Sequence, residues 1–306
     1  MVGNMGESGA ALAQAQTLEE RADESVQLLQ AGFEQLNKSQ FREALETFET
    51  VLVIVRKIGI REGEGVTLLG LGKVYRNLEQ YPQALEYFQQ ALAIYQEIGN
   101  KAGEGTILNN LGSVYDNLEQ YPQALEYFQQ ALAIYQEIGN KAVEGTILNN
   151  LGAVYDNLGR YPQALVYYQQ ALAIYQEIGD KAGEGTTLNN LGAVYDDRGQ
   201  YPQALEYYQQ ALAIAKEIAD QAIEGTVLNN LGAVYRNRGQ YPQALDYFQQ
   251  ALAVRQEIGD KVGEGTTLNN LGAVYLNRGQ YPQALEYYQQ ALAIRQEKRQ
   301  PENFNF

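Results

Sequence analysis

Leu148-Asn149-Asn150-Leu151-Gly152-Ala153-Val154-Tyr155 returns almost unchanged from Leu108, Leu188, Leu228 and Leu268, each copy forty residues after the one before. A second stretch, Tyr161-Pro162-Gln163-Ala164-Leu165, follows it and repeats at the same period. A fixed period of this size marks a stacked array, in which each unit contacts only its neighbours.

The unit that begins near Lys141 gives the local structure. Ile147, Leu148, Leu151, Val154, Tyr155 and Leu158 recur at helical spacing as one apolar stripe. Gly159 can then end the helix in the left-handed conformation. Pro162 stands just inside the next helix, where its missing N–H costs nothing. Ala164, Leu165, Tyr168, Ala171, Leu172, Tyr175 and Ile178 make a second stripe, Gly179 ends it, and Asp180 can cap the helix after it. Each unit is therefore two antiparallel helices, each of about eighteen residues and roughly 27 Å long. Gly152 costs up to about 1 kcal/mol inside a helix, so its recurrence predicts a close approach, with Leu151, Tyr155 and Tyr168 filling the space beside it.

The expected organisation is a disordered leader over residues 1–18, an array over 19–298 and a disordered tail over 299–306. Units start near residues 21, 61, 101, 141, 181, 221 and 261. The first is degenerate: Gln35 stands where Tyr75 is expected, and Arg42 replaces proline. An atypical first unit is what an array needs where one face meets water. Ala11-Leu12-Ala13-Gln14-Ala15-Gln16 is like the small-residue end of a secretory signal, but no apolar region precedes it. The expected compartment is the cytoplasm, with export as the alternative.

Composition removes whole classes of function. The 306 residues carry a net charge of -15, which disfavours nucleic acid and anionic membrane, since both need clustered Lys and Arg. With neither cysteine nor histidine in the chain, Ser-His and Cys-His catalysis and the ordinary zinc sites are excluded. No cofactor and no metal are expected.

Leu151-Gly152, Tyr155, Gly159, Tyr161, Ala164, Tyr168 and Ala171 reproduce the spacing of the tetratricopeptide repeat, which the chain resembles over about residues 20–298. Leu148 replaces the usual tryptophan, and the usual late proline is absent, giving forty residues instead of thirty-four. The long unit is similar to arrays of cyanobacterial proteins, which often precede a CHAT peptidase domain, and to kinesin light chain repeats. The resemblance implies an all-α, right-handed superhelical solenoid of seven helix-turn-helix repeats. It is specific for fold and unspecific for function.

Several motifs admit a chemical and a plain reading. Gly183-Glu184-Gly185-Thr186 is faintly like a phosphate loop, but lacks the preceding strand and third glycine; packing between units explains it. Asp196-Asp197 is the best carboxylate pair for acid–base work, and a solvated face is the plainer account. Tyr87, Tyr127, Tyr167 and Tyr207 fall off the stripes and read as surface tyrosines or an external contact strip.

The asparagines carry the functional expectation. Asn149, Ala153 and Asp156 point away from the stripe, while Asn150 faces a neighbouring unit or the groove edge. In the resembling family the first helices line a concave face. Stacking would then align Asn109, Asn149, Asn189, Asn229 and Asn269 as a ladder whose amides can hold a peptide backbone of any sequence. The alternative is that they bond one another and keep the stack in register. A position read as exposed varies along the array: Arg76, Asp116, Asp156, Asp196, Arg236, Leu276. With Asp197 it gives an acidic centre between basic ends. The expected function is a non-catalytic scaffold holding an extended, basic peptide segment of another protein. The alternative is a self-associating rod or the regulatory arm of a separate effector. The last unit keeps an interior sequence around Leu285–Leu292, so weak homodimerisation through it is also expected.

Overall fold

The structure, a computed structural model, describes the backbone of residues 5–299 and the side chains of residues 18–296. These residues are all-α. Fourteen helices follow one another in antiparallel pairs: α1 (Met5–Asn37) with α2 (Phe41–Ile58), α3 (Arg61–Asn77) with α4 (Tyr81–Glu97), α5 (Lys101–Asn117) with α6 (Tyr121–Glu137), α7 (Lys141–Asn157) with α8 (Tyr161–Ile178), α9 (Lys181–Asp197) with α10 (Tyr201–Glu217), α11 (Gln221–Asn237) with α12 (Tyr241–Glu257), and α13 (Lys261–Asn277) with α14 (Tyr281–Arg299). Odd-numbered helices are the first helices of the seven repeats. The chain divides into two compact units, the first up to Asn140 with α1–α6 and the second from Lys141 with α7–α14. Of the residues expected as leader and tail, 1–4 and 300–306 lie outside the described residues, and the backbone of 5–18 is the start of α1.

Local signals set these boundaries. Asp180 Oδ1 accepts from Gly183 N at 3.0 Å, and Asn100, Asp220 and Asp260 cap α5, α11 and α13 in the same way. Proline enters the first turn of α4, α6, α8, α10 and α12. Gly159 turns left-handed at φ 67° between α7 and α8. Glu79 and Glu119 hold the same conformation at φ 58° and 57° without being glycine.

Six of the seven repeats bury one ring between their two helices: Phe48, Phe88, Phe128, Tyr168, Tyr208 and Phe248 are almost fully inaccessible, and Tyr288 of the seventh is half-buried. Gly152 faces that ring, and a Cβ built on it would lie 2.7 Å from Tyr168 Cδ1. The close approach predicted from its recurrence is therefore present. The two glycines of Gly-Glu-Gly-Thr also serve packing. In the second unit, Tyr175 fits between Gly145 of its own first helix and Gly183 of the next, whose Cβ would stand 3.0 and 2.5 Å from the ring. Glu184 between the glycines is buried, paired with Lys181 at 2.9 Å, and accepts from Gln176 of the preceding helix at 3.0 Å.

Candidate peptide-binding face

The asparagine ladder belongs to the first helices, and its rungs are cross-linked. In the second unit Asn190 Nδ2 donates to Asn149 Oδ1 at 3.3 Å, Asn230 Nδ2 to Asn189 Oδ1 at 2.9 Å, and Asn270 Nδ2 to Asn229 Oδ1 at 3.0 Å. Thr267 Oγ1 also approaches Asn229 Oδ1, at 3.3 Å. The first asparagine of each pair thus spends its oxygen on the next repeat, where the second asparagine supplies the donor. The register function is built in. Asn149 and Asn189 stay half-exposed, and Asn189 borders a recess of about 230 Å³ with Thr186, Ala222, Ile223 and Thr226. Asn269 is half-exposed on α13. In the first unit Asn109 is likewise half-exposed, while Asn110 beside it is buried and donates to Thr106 O at 2.8 Å.

The variable position is not the exposed one expected from sequence. Arg76, Asp116, Asp156, Asp196 and Arg236 are all half-buried, and Leu276 alone is exposed. The reason is that this residue reaches across to the next repeat. Arg76 Nη1 donates to Asn110 Oδ1 at 3.2 Å, and Arg236 Nη1 to Asn270 Oδ1 at 3.0 Å. Where aspartate takes this place, it cannot donate to an asparagine oxygen. Asp156 and Asp196 each keep one buried oxygen without a hydrogen-bond partner. Burial, with Asp197 adding to it, pushes Asp156 up to about 6. Burial also raises Asp196, where the Asp197 charge adds and Asn237 and Arg236 oppose. Asp197 is raised by burial alone. Asp156 and Asp196 are thus half-buried carboxylates that resist ionisation, while Asp197 beside them is exposed. In the first unit the cations Lys73 and Arg76 are themselves depressed by burial, and Lys73 stands 6.0 Å above the Phe33 ring.

The off-stripe tyrosines are half-exposed and paired, not a free strip. Tyr87, Tyr127, Tyr167 and Tyr207 each stack on the tyrosine that ends their own first helix, Tyr75, Tyr115, Tyr155 and Tyr195, at 5.3 Å between centroids. Two further pairs continue the series. The twelve-residue spacing between partners was visible in the sequence, but helical periodicity alone treats the two helices separately. Among the described residues no cluster of acidic side chains could hold a metal ion, and no helix is long and apolar enough to cross a membrane.

Helix pairs stacked at a forty-residue period, each closed by a buried ring on a helical glycine, define a class of helical repeat proteins. The chain belongs to the tetratricopeptide repeat family, whose pattern matches residues 24–97, 63–137, 143–217 and 224–297. A second tetratricopeptide pattern matches residues 189–256. Among solved structures, the chain is similar to the apo form of RapI, with 19% identity and a TM-score of 0.71 over 89% of this chain and 98% of that one. It is also similar to a Rap protein complexed with Competence and Sporulation Factor, at 19% identity and a TM-score of 0.66, covering 87% of this chain and 73% of that one. A putative kinesin light chain from Podosopora anserina with nearly identical TPR-like repeats matches at 20% identity and a TM-score of 0.50, over 63% of this chain and 95% of that one. No curated protein sequence matches the chain.

Proposed function

We propose that the chain is a non-catalytic scaffold that holds an extended peptide segment of another protein against its first helices. The observation that carries this reading is the half-used asparagine. Asn149 gives its oxygen to Asn190, and its N–H₂ remains a donor suited to a peptide carbonyl. Asn189 and Asn269 repeat the position half-exposed in the second unit, Asn229 occupies it but is buried, and Asn109 holds it in the first. First helices about 10 Å apart and a strand rise of about 3.3 Å per residue give one rung to roughly every third ligand residue. The second unit then spans about nine to twelve ligand residues, with Asn149, Asn189 and Asn269 as its accessible rungs. Each contributes about 0.5–1.5 kcal/mol net against the cost of ordering the ligand, so affinity should be micromolar.

Charge supplies the selectivity. Asp156 and Asp196 each keep an unpartnered carboxylate oxygen, and their ionised forms, with exposed Asp197 beside them, gain from a cation. The ligand should therefore place Lys or Arg opposite them, with Arg236 at one side of the patch. Asp116 and Arg76 are the corresponding residues of the first unit. A Rap protein of similar fold has been solved in complex with a factor, which agrees with this use of the fold without fixing a ligand. Selection from a random peptide library tests the reading: basic-centred sequences should be enriched by the native chain and lost to Asp156→Lys/Asp196→Lys. Enrichment without a basic bias, or identical selection by both proteins, would overturn it.

A further inference from the structure

We propose, resting on the peptide-binding reading of the first helices, that the recess beside Asn189 is a side-chain pocket for one tyrosine of the bound segment. Thr186 and Ile223 set that preference. Two neighbouring repeats show what the fifth one lacks. In each, a tyrosine of the second helix reaches a threonine of its own first helix. Tyr135 Oη and Thr106 Oγ1 share a hydrogen bond of 2.7 Å, and Tyr135 Oη also donates to Ala102 O at 3.0 Å. Tyr175 Oη donates to Thr146 Oγ1 at 3.3 Å. The fifth repeat keeps the threonine, Thr186, but has Ala215 in place of the tyrosine. Thr186 therefore meets no phenol from its own repeat. It also breaks a second series. Thr106, Thr146, Thr226 and Thr266 each return their hydroxyl to the carbonyl four residues back. Thr186 has no hydrogen bond among the described residues and is exposed on the first-helix face.

The helix that follows changes in step. Ile223 stands where Gly183 stands one repeat earlier, and it reaches into the space of the missing ring without supplying a hydroxyl. The recess of about 230 Å³ is thus bounded by apolar Ile223 and Ala222, by Thr186 and Thr226, and by the Asn189 rung. An apolar cavity of about 150 Å³ already accepts a benzene ring, so a phenol fits. Its ring would cover Ile223, and its hydroxyl would bond Thr186 as Tyr135 bonds Thr106 inside the chain. None of the lining residues is charged, so a charged ligand side chain would lose water there without gaining a counterion. Because Asn189 borders the same recess, the tyrosine neighbours the ligand residue whose carbonyl meets that amide.

The test uses the full chain in two arms. In selection from a random peptide library, the native chain should enrich tyrosine at one fixed spacing from the basic residue. Replacing that tyrosine by alanine in a selected peptide should weaken binding by more than about tenfold, and by phenylalanine about threefold to tenfold. Ala215→Tyr/Ile223→Gly rebuilds the joint of the fourth repeat. It should lose the tyrosine preference while basic residues are still enriched. Thr186→Val, at an exposed position, should remove the advantage of tyrosine over phenylalanine, and it carries the comparison if the double variant loses helix content. In the second arm, N-acetyl-tyrosinamide is titrated into the chain with labelled isoleucine methyls. The Ile223 signal should shift saturably with a Kd of roughly millimolar, and N-acetyl-lysinamide should leave it in place. Basic enrichment without tyrosine, together with an unmoved Ile223 signal, overturns the pocket and leaves the peptide reading standing. A tyrosine preference that survives both variants also overturns it. A shifted Ile223 signal without any basic enrichment would support the pocket and count against the peptide reading.

Discussion

Glu119 shows what a single residue of this period costs. It sits at φ 57°, a left-handed conformation about 1–2 kcal/mol unfavourable for residues with a Cβ. From the fourth repeat on, glycine takes that place at Gly159, Gly199, Gly239 and Gly279. Glu119→Gly should raise the denaturant midpoint at unchanged slope, by roughly 0.5–1 kcal/mol in stability. Gly152 is the opposite case: Gly152→Leu drives a side chain into the Tyr168 ring and should lower the midpoint by about 1–3 kcal/mol with helix content retained in the cold. Asp156 adds a pH dependence. Its folded pKa of about 6 lies above its ordinary value, so the folded state holds the proton more tightly. The associated stability is full below about pH 4 and is lost as pH rises through 6. Asp156→Asn should therefore raise the unfolding midpoint at pH 7.5 and leave it nearly unchanged at pH 4. Equal effects at both pH values would show that its burial carries no charge penalty.

At the scale of helices, the joints between repeats are interchangeable parts with visible compensation. The fifth repeat has Ala215 where Tyr175 stood, and the helix that follows has Ile223 where Gly183 stood. Ile223 Cγ2 comes to 3.8 Å from a Cβ built on Gly185, reaching into the space a tyrosine would fill. Ala215→Tyr alone should overpack this joint and Ile223→Gly alone should hollow it, each costing about 1–3 kcal/mol. The double replacement restores the Tyr175–Gly183 arrangement and should recover most of the loss, a coupling of about 1–3 kcal/mol in a double-mutant cycle. Simple additivity would mean the two side chains do not share the joint. The sixth repeat solves the same joint with Arg255, buried, with Nε unpartnered and its ionisation opposed by burial and favoured by Asp260.

Across the molecule, the helix pairs, their caps and the ring-on-glycine packing were legible in the sequence, because each is local or repeats at a fixed distance. Contacts between repeats were legible only in outline: packing at Gly183 and asparagines bonding one another, but not which residues pair. The stacked Tyr155–Tyr167 pair joins two helices whose stripes are read separately, and the partner of Asn149 is Asn190, forty-one residues on. The burial of Asp156 and Arg236 was missed for the same reason: seen from one helix they face outward, and the next repeat covers them. The asparagine face was found by its angle on the helix, but that angle could not say that one half of each amide is already engaged.

The division of labour within that amide is the central claim, and Asn149→Asp/Asn189→Asp tests it most directly. Aspartate keeps the oxygen that accepts from Asn190 and Asn230 and removes the donor offered to a ligand, together with the long 3.5 Å bond from Asn189 Nδ2 to Asn190 Oδ1. Affinity for a selected basic-centred peptide is measured at pH 7.5 in about 0.5 M salt, where screening acts over less than about 10 Å and limits the added attraction of the new charges. The account predicts an unchanged helical spectrum and binding weakened by about tenfold or more, the loss of two net hydrogen bonds. Native affinity in this variant would contradict it and leave the ladder as a device for register alone.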